Sequence, residues 1–267
     1  MKKLLGVVIM MFFVLSFLTS VFRSCSADYT YEPEIADYEY EYEEFDSALL
    51  IRRHHRNWLD YYNQANYAVQ YAVTSKEEET AYYERDALYI DYWESDDDFW
   101  KKVYFDLYIK NKSRLDFIQD SLLNIRDSLR LNRDDFARMV VSFVQDIPYN
   151  YILPEGCEGH DDYPCVPNVK YGILSPVEFL TRLQGDCDTR TVLLFTLLKN
   201  FGYSPIIINS NEYLHSMLAL DLPASGDYLI HKGKRYAFWE TTNVGWLPGM
   251  LPPDMNNTSY WNVILDL

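Results

Sequence analysis

The stretch Leu183–Tyr203, LQGDCDTRTVLLFTLLKNFGY, decides how the chain is read. Gly185 and Asp186 offer a tight turn and a helix cap. From Thr189 the residues turn apolar (Val192, Leu193, Leu194, Phe195, Leu197, Leu198) until Asn200, Phe201 and Gly202 close the run. Apolar nearly all round, free of Pro and ended by Gly, it predicts a buried helix of about four turns. Cys187 then lies in the first turn, where unpaired amides and the positive dipole end favour a thiolate. That placement predicts a thiol pKa lowered from roughly 8.5 into the range of about 3.5–7.5, the condition of a nucleophile. A free cysteine opening a core helix can equally be plain packing, so partners must come from elsewhere in the chain.

Downstream, Ser204-Pro205 leads into the β-branched run Ile206–Ile208. His215–Leu220 reads as a second strand, Pro223–Asp227 as a turn and Arg235–Glu240 as a further strand ending at Thr241-Thr242. A helix followed by consecutive strands predicts an α+β fold with an antiparallel sheet. Three chemically able residues stand at element ends: Cys187 opens a helix, His215 starts one strand and Glu240 ends another. An imidazole can pair with the thiolate and shuttle protons. A carboxylate can fix the tautomer of that imidazole and steady its charged form.

GDCDTRTVLLFTLLKNFGY, then HSMLAL, then YAFWETTNVGWLPG resembles the transglutaminase-like superfamily of papain-type cysteine enzymes, in its bacterial and archaeal branch. FVQDIPY at Phe143–Tyr149, and Pro176 with Phe179 and Leu180, fit the same pattern. The resemblance spans about Phe136–Pro248. It implies a catalytic triad of Cys187, His215 and Glu240, with Glu standing where eukaryotic transglutaminases use Asp. It also implies an oxyanion held by the Cys187 amide and an upstream donor, for which Gln145 and Tyr149 are the candidates; Gln145 can equally be satisfying loop backbone. Asp186 is most simply a helix cap. No cofactor and no metal is implied. The substrate implied is a protein, peptide or cell-wall peptide carbonyl. The acyl group then passes to water in a peptidase or amidase, or to an amine in a cross-linker, and an open, solvated site favours water. The alternative is an inactive copy that binds peptides or scaffolds an envelope complex.

The 267 residues carry 24 Lys and Arg against 40 Asp and Glu, a formal net charge of −16. Such a balance argues against nucleic acid, whose phosphates need basic surface. Anionic membrane is likewise a poor partner except through the N-terminus. Residues 1–27 read as a targeting segment: Lys2 and Lys3, the apolar run Leu4–Phe22, then Cys25-Ser26-Ala27 at the spacing of a cleavage site. Cleaved secretion, lipidation at Cys25 and an uncleaved anchor all export the rest.

Export permits disulfides. Cys157 and Cys165 lie close together in the Gly- and Pro-rich loop Tyr149–Tyr171, and an oxidising compartment favours a disulfide there over a metal clip with His160, Asp161 and Asp162. Cys187 is left over, and without a CxxC spacing a disulfide enzyme is a weak reading. Asp28–Asp46, acidic and studded with Tyr, reads as a solvated tether. Residues 47–133 read as a helical layer, because the aromatics from Trp58 to Tyr71 recur nearer 3.6 than 2. The basic cluster Arg52-Arg53-His54-His55-Arg56 reads as a solvated face. Residues 134–267 form the transglutaminase-like core of this scheme.

Overall fold

Blocks of helix and blocks of strand follow one another in the computed structural model, which describes residues 39–42, 50–159 and 164–267. In chain order they are β1 (Glu39–Tyr42), β2 (Leu50–Asp60), β3 (Ala65–Thr74), α1 (Ser75–Asp86), α2 (Asp96–Asn111), α3 (Asp116–Leu129) and α4 (Arg133–Gln145). Then come β4 (Tyr151–Ile152), β5 (Cys165–Val166), α5 (Pro176–Arg182), α6 (Cys187–Asn200), β6 (Pro205–Ser210), β7 (His215–Leu220), β8 (Tyr228–His231), β9 (Lys234–Trp239) and β10 (Asn262–Asp266). The fold is α+β. The targeting segment, Cys25, most of the acidic tether and His160–Asp162 lie outside the described residues. No helix among those described is long and apolar enough to cross a membrane.

The apolar run after Cys187 is the central helix α6, and every residue from Thr189 to Leu198 is buried. A helix with no polar stripe needs cover on all sides. One side is covered by an antiparallel sheet of order β10-β6-β7-β9-β8. Strand alternation divides that sheet cleanly. Ile207, Leu218, Leu220, Ala237 and Trp239 join the core around α6, while Ile206, Ile208, Met217, Ala219 and Phe238 face a second cluster closed by Leu251 and Trp261. Cross-strand partners obey the same parity, with Ile207 opposite Leu218 and Ile208 opposite Met217.

Within 47–133, α1, α2 and α3 are helical as expected, but the first part departs from the helical expectation. Residues 50–74 form an antiparallel hairpin, with Asp60 opposite Ala65 at its closed end and Ile51 opposite Thr74 at its open end. Tyr67, Val69, Tyr71 and Val73 are all buried, every second residue of β3, so the working period is 2. The aromatics alone, spaced four or five apart, mimicked a helical stripe. The basic cluster is not simply a solvated face either. His54 and Arg56 point inward, 3% and 2% exposed; Arg56 pairs with buried Asp146 and the His54 ring stacks on Tyr71 at 4.8 Å. Within the predicted tether, Glu39–Tyr42 is a strand beside β2, its register setting Glu39 against Arg53 and Tyr40 against Arg52.

The hairpin buries its inner face on α3 and α4, and one hydrophobic core runs from Trp58 through Ile118 and Phe143 to Leu194 and Leu265. No break in packing separates the residues before and after 133. A buried ion pair from Arg85 Nε to Glu178 Oε2, 2.9 Å, ties α1 to α5. Glu178 also completes a capping box with Ser175, and Pro176 opens α5.

Candidate active site

Cys187 is the first residue of α6. Asp186 caps the helix by accepting the Thr189 N–H at 3.1 Å, the role its position predicts. Gly185 is demanded by packing: a Cβ there would fall 2.9 Å from both the Phe179 ring and the Thr189 methyl. This close fit lets residues 149–150 run alongside, Tyr149 bridging to Gly185 and the Asn150 N–H donating to Gly185 O at 3.3 Å.

The sheet brings the other two residues to the same place. Leu218 lies opposite Trp239 in β7 and β9, so the start of β7 and the residue after β9 meet at one end of the sheet. His215 Nε2 is 2.9 Å from Glu240 Oε2. The remaining ring nitrogen, Nδ1, is left for the sulfur, and Cys187 is the neighbour that does most to favour the charged imidazole. The structure thus brings Cys187, His215 and Glu240 together within a site that is almost wholly buried; Cys187 is 7% exposed.

Charge in this site is set by burial and by neighbours. Burial alone would raise the Glu240 carboxyl, but the His215 bond and charge and the Thr242 donors outweigh it and hold the group at about 2. Its Oε1 accepts the Thr241 N–H at 2.8 Å, the Thr242 N–H at 2.9 Å and the Thr242 hydroxyl at 2.8 Å. Burial works against an imidazolium at His215, yet the Cys187 bond and charge, followed by those of Glu240, raise it well above the ordinary histidine value. The thiol moves opposite to the sequence expectation. Burial first, then the Asp188 carboxylate, push Cys187 up, with His215 pulling the other way. The dipole of a helix terminus is worth about 0.3–1 kcal/mol in ordinary settings, which desolvation of a buried anion exceeds. Cysteine and histidine titrate as a pair: the thiolate left by a departing proton is itself what favours the imidazolium.

Both oxyanion candidates are at the site, in different roles. Gln145 donates its Nε2–H groups to Glu240 O at 2.7 Å and Trp246 O at 3.0 Å. An amide nitrogen has two donors, so Gln145 has none to offer an oxyanion; it holds loop backbone, including that of Glu240. The Tyr149 hydroxyl oxygen accepts the Cys187 backbone N–H, and its ring lies under the Arg190 guanidinium at 5.5 Å. Tyr149 therefore sits where an oxyanion on Cys187 would be received. Burial, then the charges of Cys187 and Asp186, raise its pKa far above the usual tyrosine value, so it remains a phenol. Cys157 and Cys165 form a disulfide. Cys165 opens β5, which pairs in parallel with β4, Tyr151 opposite Cys165, so the bridge braces the segment that carries Tyr149.

Three contributors were not read from the sequence. Arg190, wholly buried, donates Nε to Gly185 O at 3.1 Å, Nη1 to Val144 O at 2.8 Å and Thr241 O at 3.0 Å, and Nη2 to Ile147 O. It joins the end of α4, the start of α6 and the residue after Glu240. Burial lowers its pKa to about 10, still a full cation at neutral pH. An arginine inside an otherwise apolar helix was the available signal. Asp188, partly exposed, has Oδ2 3.8 Å from Cys187 Sγ and takes the Tyr104 hydroxyl proton on Oδ1. Tyr104 in turn accepts from Asn209 Nδ2 at 3.3 Å and is stacked on Trp100. Among the described residues no three His, Cys, Asp or Glu are grouped to hold a metal ion.

Compared with protein-family models, curated proteins and solved structures, the chain matches none.

Proposed function

We propose that the chain is a transglutaminase-like thiol enzyme that forms an acyl-enzyme at Cys187 and passes the acyl group to water, an exported peptidase or amidase. The observation that carries this reading is the line from Cys187 Sγ through the His215 imidazole to Glu240, closed at 2.9 Å between His215 Nε2 and Glu240 Oε2. The order Cys, His, acid on a helix followed by strands is that of the superfamily the sequence resembles. Export rests on the sequence of residues 1–27 and fits a disulfide-bonded loop.

In this reading the thiol gives its proton to His215 Nδ1 as Sγ bonds to a peptide carbonyl carbon, and the carbonyl electron pair moves to oxygen. The Cys187 N–H, released from the Tyr149 hydroxyl, receives that oxyanion, and Tyr149 turns to donate its own O–H. Collapse breaks the C–N bond, and the amine leaves with the proton from His215. Water then adds to the thioester with His215 as base, freeing the acid and restoring the thiol. Glu240 keeps the ring oriented and favours its charged form throughout.

A second reading, an inactive peptide-binding module, draws on one observation: burial and Asp188 raise the Cys187 thiol. Incubating the full chain with peptide p-nitroanilides and following intact mass separates the two. A transient acyl adduct on wild type, absent from Cys187→Ala, supports the enzyme. Peptide binding retained by Cys187→Ala, with no adduct on wild type, supports the module. Added primary amine capturing the acyl group at the expense of hydrolysis would move the acceptor from water to amine.

A further inference from the structure

The turn that delivers His215 is held firmly and carries one residue that its own conformation disfavours. Ser210 and His215 pair across β6 and β7, so Asn211–Leu214 is a hairpin loop. The Tyr213 N–H donates to Ser210 Oγ at 3.2 Å, and the Tyr213 hydroxyl accepts the Asn257 N–H at 3.2 Å. The Tyr213 ring meets Tyr260 and Trp261 at 5.6 and 5.9 Å. Trp261, its indole N–H donating to Met255 O at 3.2 Å, lies against the His215 ring at 5.9 Å. The last loop residue, Leu214, has φ of +49° and is 87% exposed. A left-handed residue closing a hairpin loop is ordinarily Gly or Asn. A leucine there is strained by its Cβ and sets a whole aliphatic side chain in water. Folding favours neither, and the residue stands directly before the histidine of the site.

Leu214 is not alone. Tyr260, 44% exposed, is linked by the rings of Tyr213 and Trp261 to the imidazole itself. The chain neighbours Asn211, Glu212, Asn257 and Ser259 are exposed and polar, the rim expected of an apolar binding patch. Two exposed side chains are far too little for a second copy of the chain, since a stable dimer buries about 800 Å² on each partner. They suffice for one residue of a substrate. His215 decides which residue. It gives its proton to the departing amine, so the amine leaves across the imidazole and what it carries passes the residues flanking His215.

We propose that Leu214, with the Tyr213 and Tyr260 rings, receives a large apolar side chain on the amine side of the scissile bond, so that the enzyme cuts before residues such as Leu or Phe. This rests on the acyl-enzyme reading and adds the residue preferred on the leaving side. Glu212, exposed beside the patch, works against an acidic residue there. Leu214 touches only the departing group. It bears on which amide bond is broken, while Cys187 and His215 carry the reaction.

The test reads the leaving side in reverse. The full chain is acylated with a peptide p-nitroanilide in the presence of leucinamide or glycinamide, and the share of acyl group captured by each amine is measured by mass. An entering amine retraces the path of a leaving one, so it occupies the same place. Glycinamide is the less hindered nucleophile and wins where no subsite exists. Leucinamide should instead win by about fivefold or more, the worth of roughly half-covering a leucine side chain. Leu214→Gly should bring the ratio to about one or below, and Leu214→Met should keep most of it. Because glycine adopts the left-handed region freely, the thermal midpoint of Leu214→Gly should not fall, which separates a lost contact from a lost fold. Equal capture by the two amines, no capture by either, or an unchanged preference in Leu214→Gly overturns this proposal alone. Failure of wild type to form any acyl adduct overturns the acyl-enzyme reading and this proposal with it.

Discussion

His215 Nε2 and Glu240 Oε2 lie 2.9 Å apart while the other oxygen of the same carboxylate is held by three donors from Thr241 and Thr242. The carboxylate thus cannot turn away from the histidine without breaking three bonds. Replacing Glu240 by Gln keeps the shape, removes the charge and puts an N–H₂ where either the His215 or the threonine donors need an acceptor. The His215 pKa should fall toward its ordinary value. Loss of an orienting carboxylate in a triad lowers turnover by up to about 10⁴-fold, so acylation of Cys187 by a peptide p-nitroanilide should drop by about a hundredfold or more. Unchanged acylation in Glu240→Gln would remove Glu240 from the reaction.

The acid side of the stability profile follows from Glu240 and His54. Glu240 titrates at about 2 in the fold against 4.5 ordinarily. A depressed carboxyl adds stability that is complete above its unfolded value and is lost as pH falls through its folded one, here between 4.5 and 2. His54 is lowered from 6.5 to about 4, by burial first and then by Arg52 and Arg56. Its unfolded form binds the extra proton in that window, so stability rises with pH from 4 to 6.5, by roughly 3 kcal/mol at most. Urea midpoints of wild type and His54→Asn, measured across that range, should converge toward pH 4. A constant difference at every pH would show that His54 is not held neutral.

What could be read without coordinates was what is local in sequence. The run around Leu194 announces a buried helix, and Ile206–Ile208 and His215–Leu220 announce strands, so Cys187, His215 and Glu240 fall at element ends that an antiparallel sheet brings together. The hairpin was hidden for a physical reason. Its inward positions include His54 and Arg56, which read as solvent-facing because their compensation by Tyr71 and Asp146 comes from residues far along the chain. β8 was missed because Tyr228 and Ile230 are exposed and give no buried alternation. The site's supports were hidden likewise: Tyr104 reaches Asp188 across 84 positions, and Arg190 serves four carbonyls from residues 144 to 241.

Asp188 should raise the pH at which the Cys187 thiol reacts. Its carboxylate, 3.8 Å from Sγ, is the largest cause after burial of the raised Cys187 pKa. Asp188→Asn removes a like charge and should lower the thiol pKa by about one unit, the size expected of a nearby charge in a partly exposed setting. The iodoacetamide rate plotted against pH should shift to lower pH by that amount. Tyr104→Phe, which takes a donor from Asp188 and leaves its charge less compensated, should shift the curve upward. If both variants superimpose on wild type, Asp188 does not face the thiol in solution.

Arg190 is the residue on which the site's geometry hangs, and its loss should be felt in stability before it is felt in chemistry. Four main-chain carbonyls, those of Gly185, Val144, Thr241 and Ile147, accept from one buried guanidinium. Arg190→Leu removes the cation but strands those acceptors, at roughly 1–3 kcal/mol each where water cannot follow. Arg190→Lys keeps the charge, yet a single ammonium has three donors on a flexible stem and cannot reproduce the fork. Against a total stability of about 5–15 kcal/mol, Leu should leave little folded protein. Lys should unfold well below wild type while retaining some native fold. The informative measurement is on Arg190→Lys: its thermal midpoint together with the rate at which a bulky disulfide reagent reaches Cys187. Because Arg190 links the residue after Glu240 to the turn before Cys187, a lower midpoint should come with faster access to the sulfur. A lower midpoint with wild-type access would mean that Arg190 stabilises the core without shaping the site.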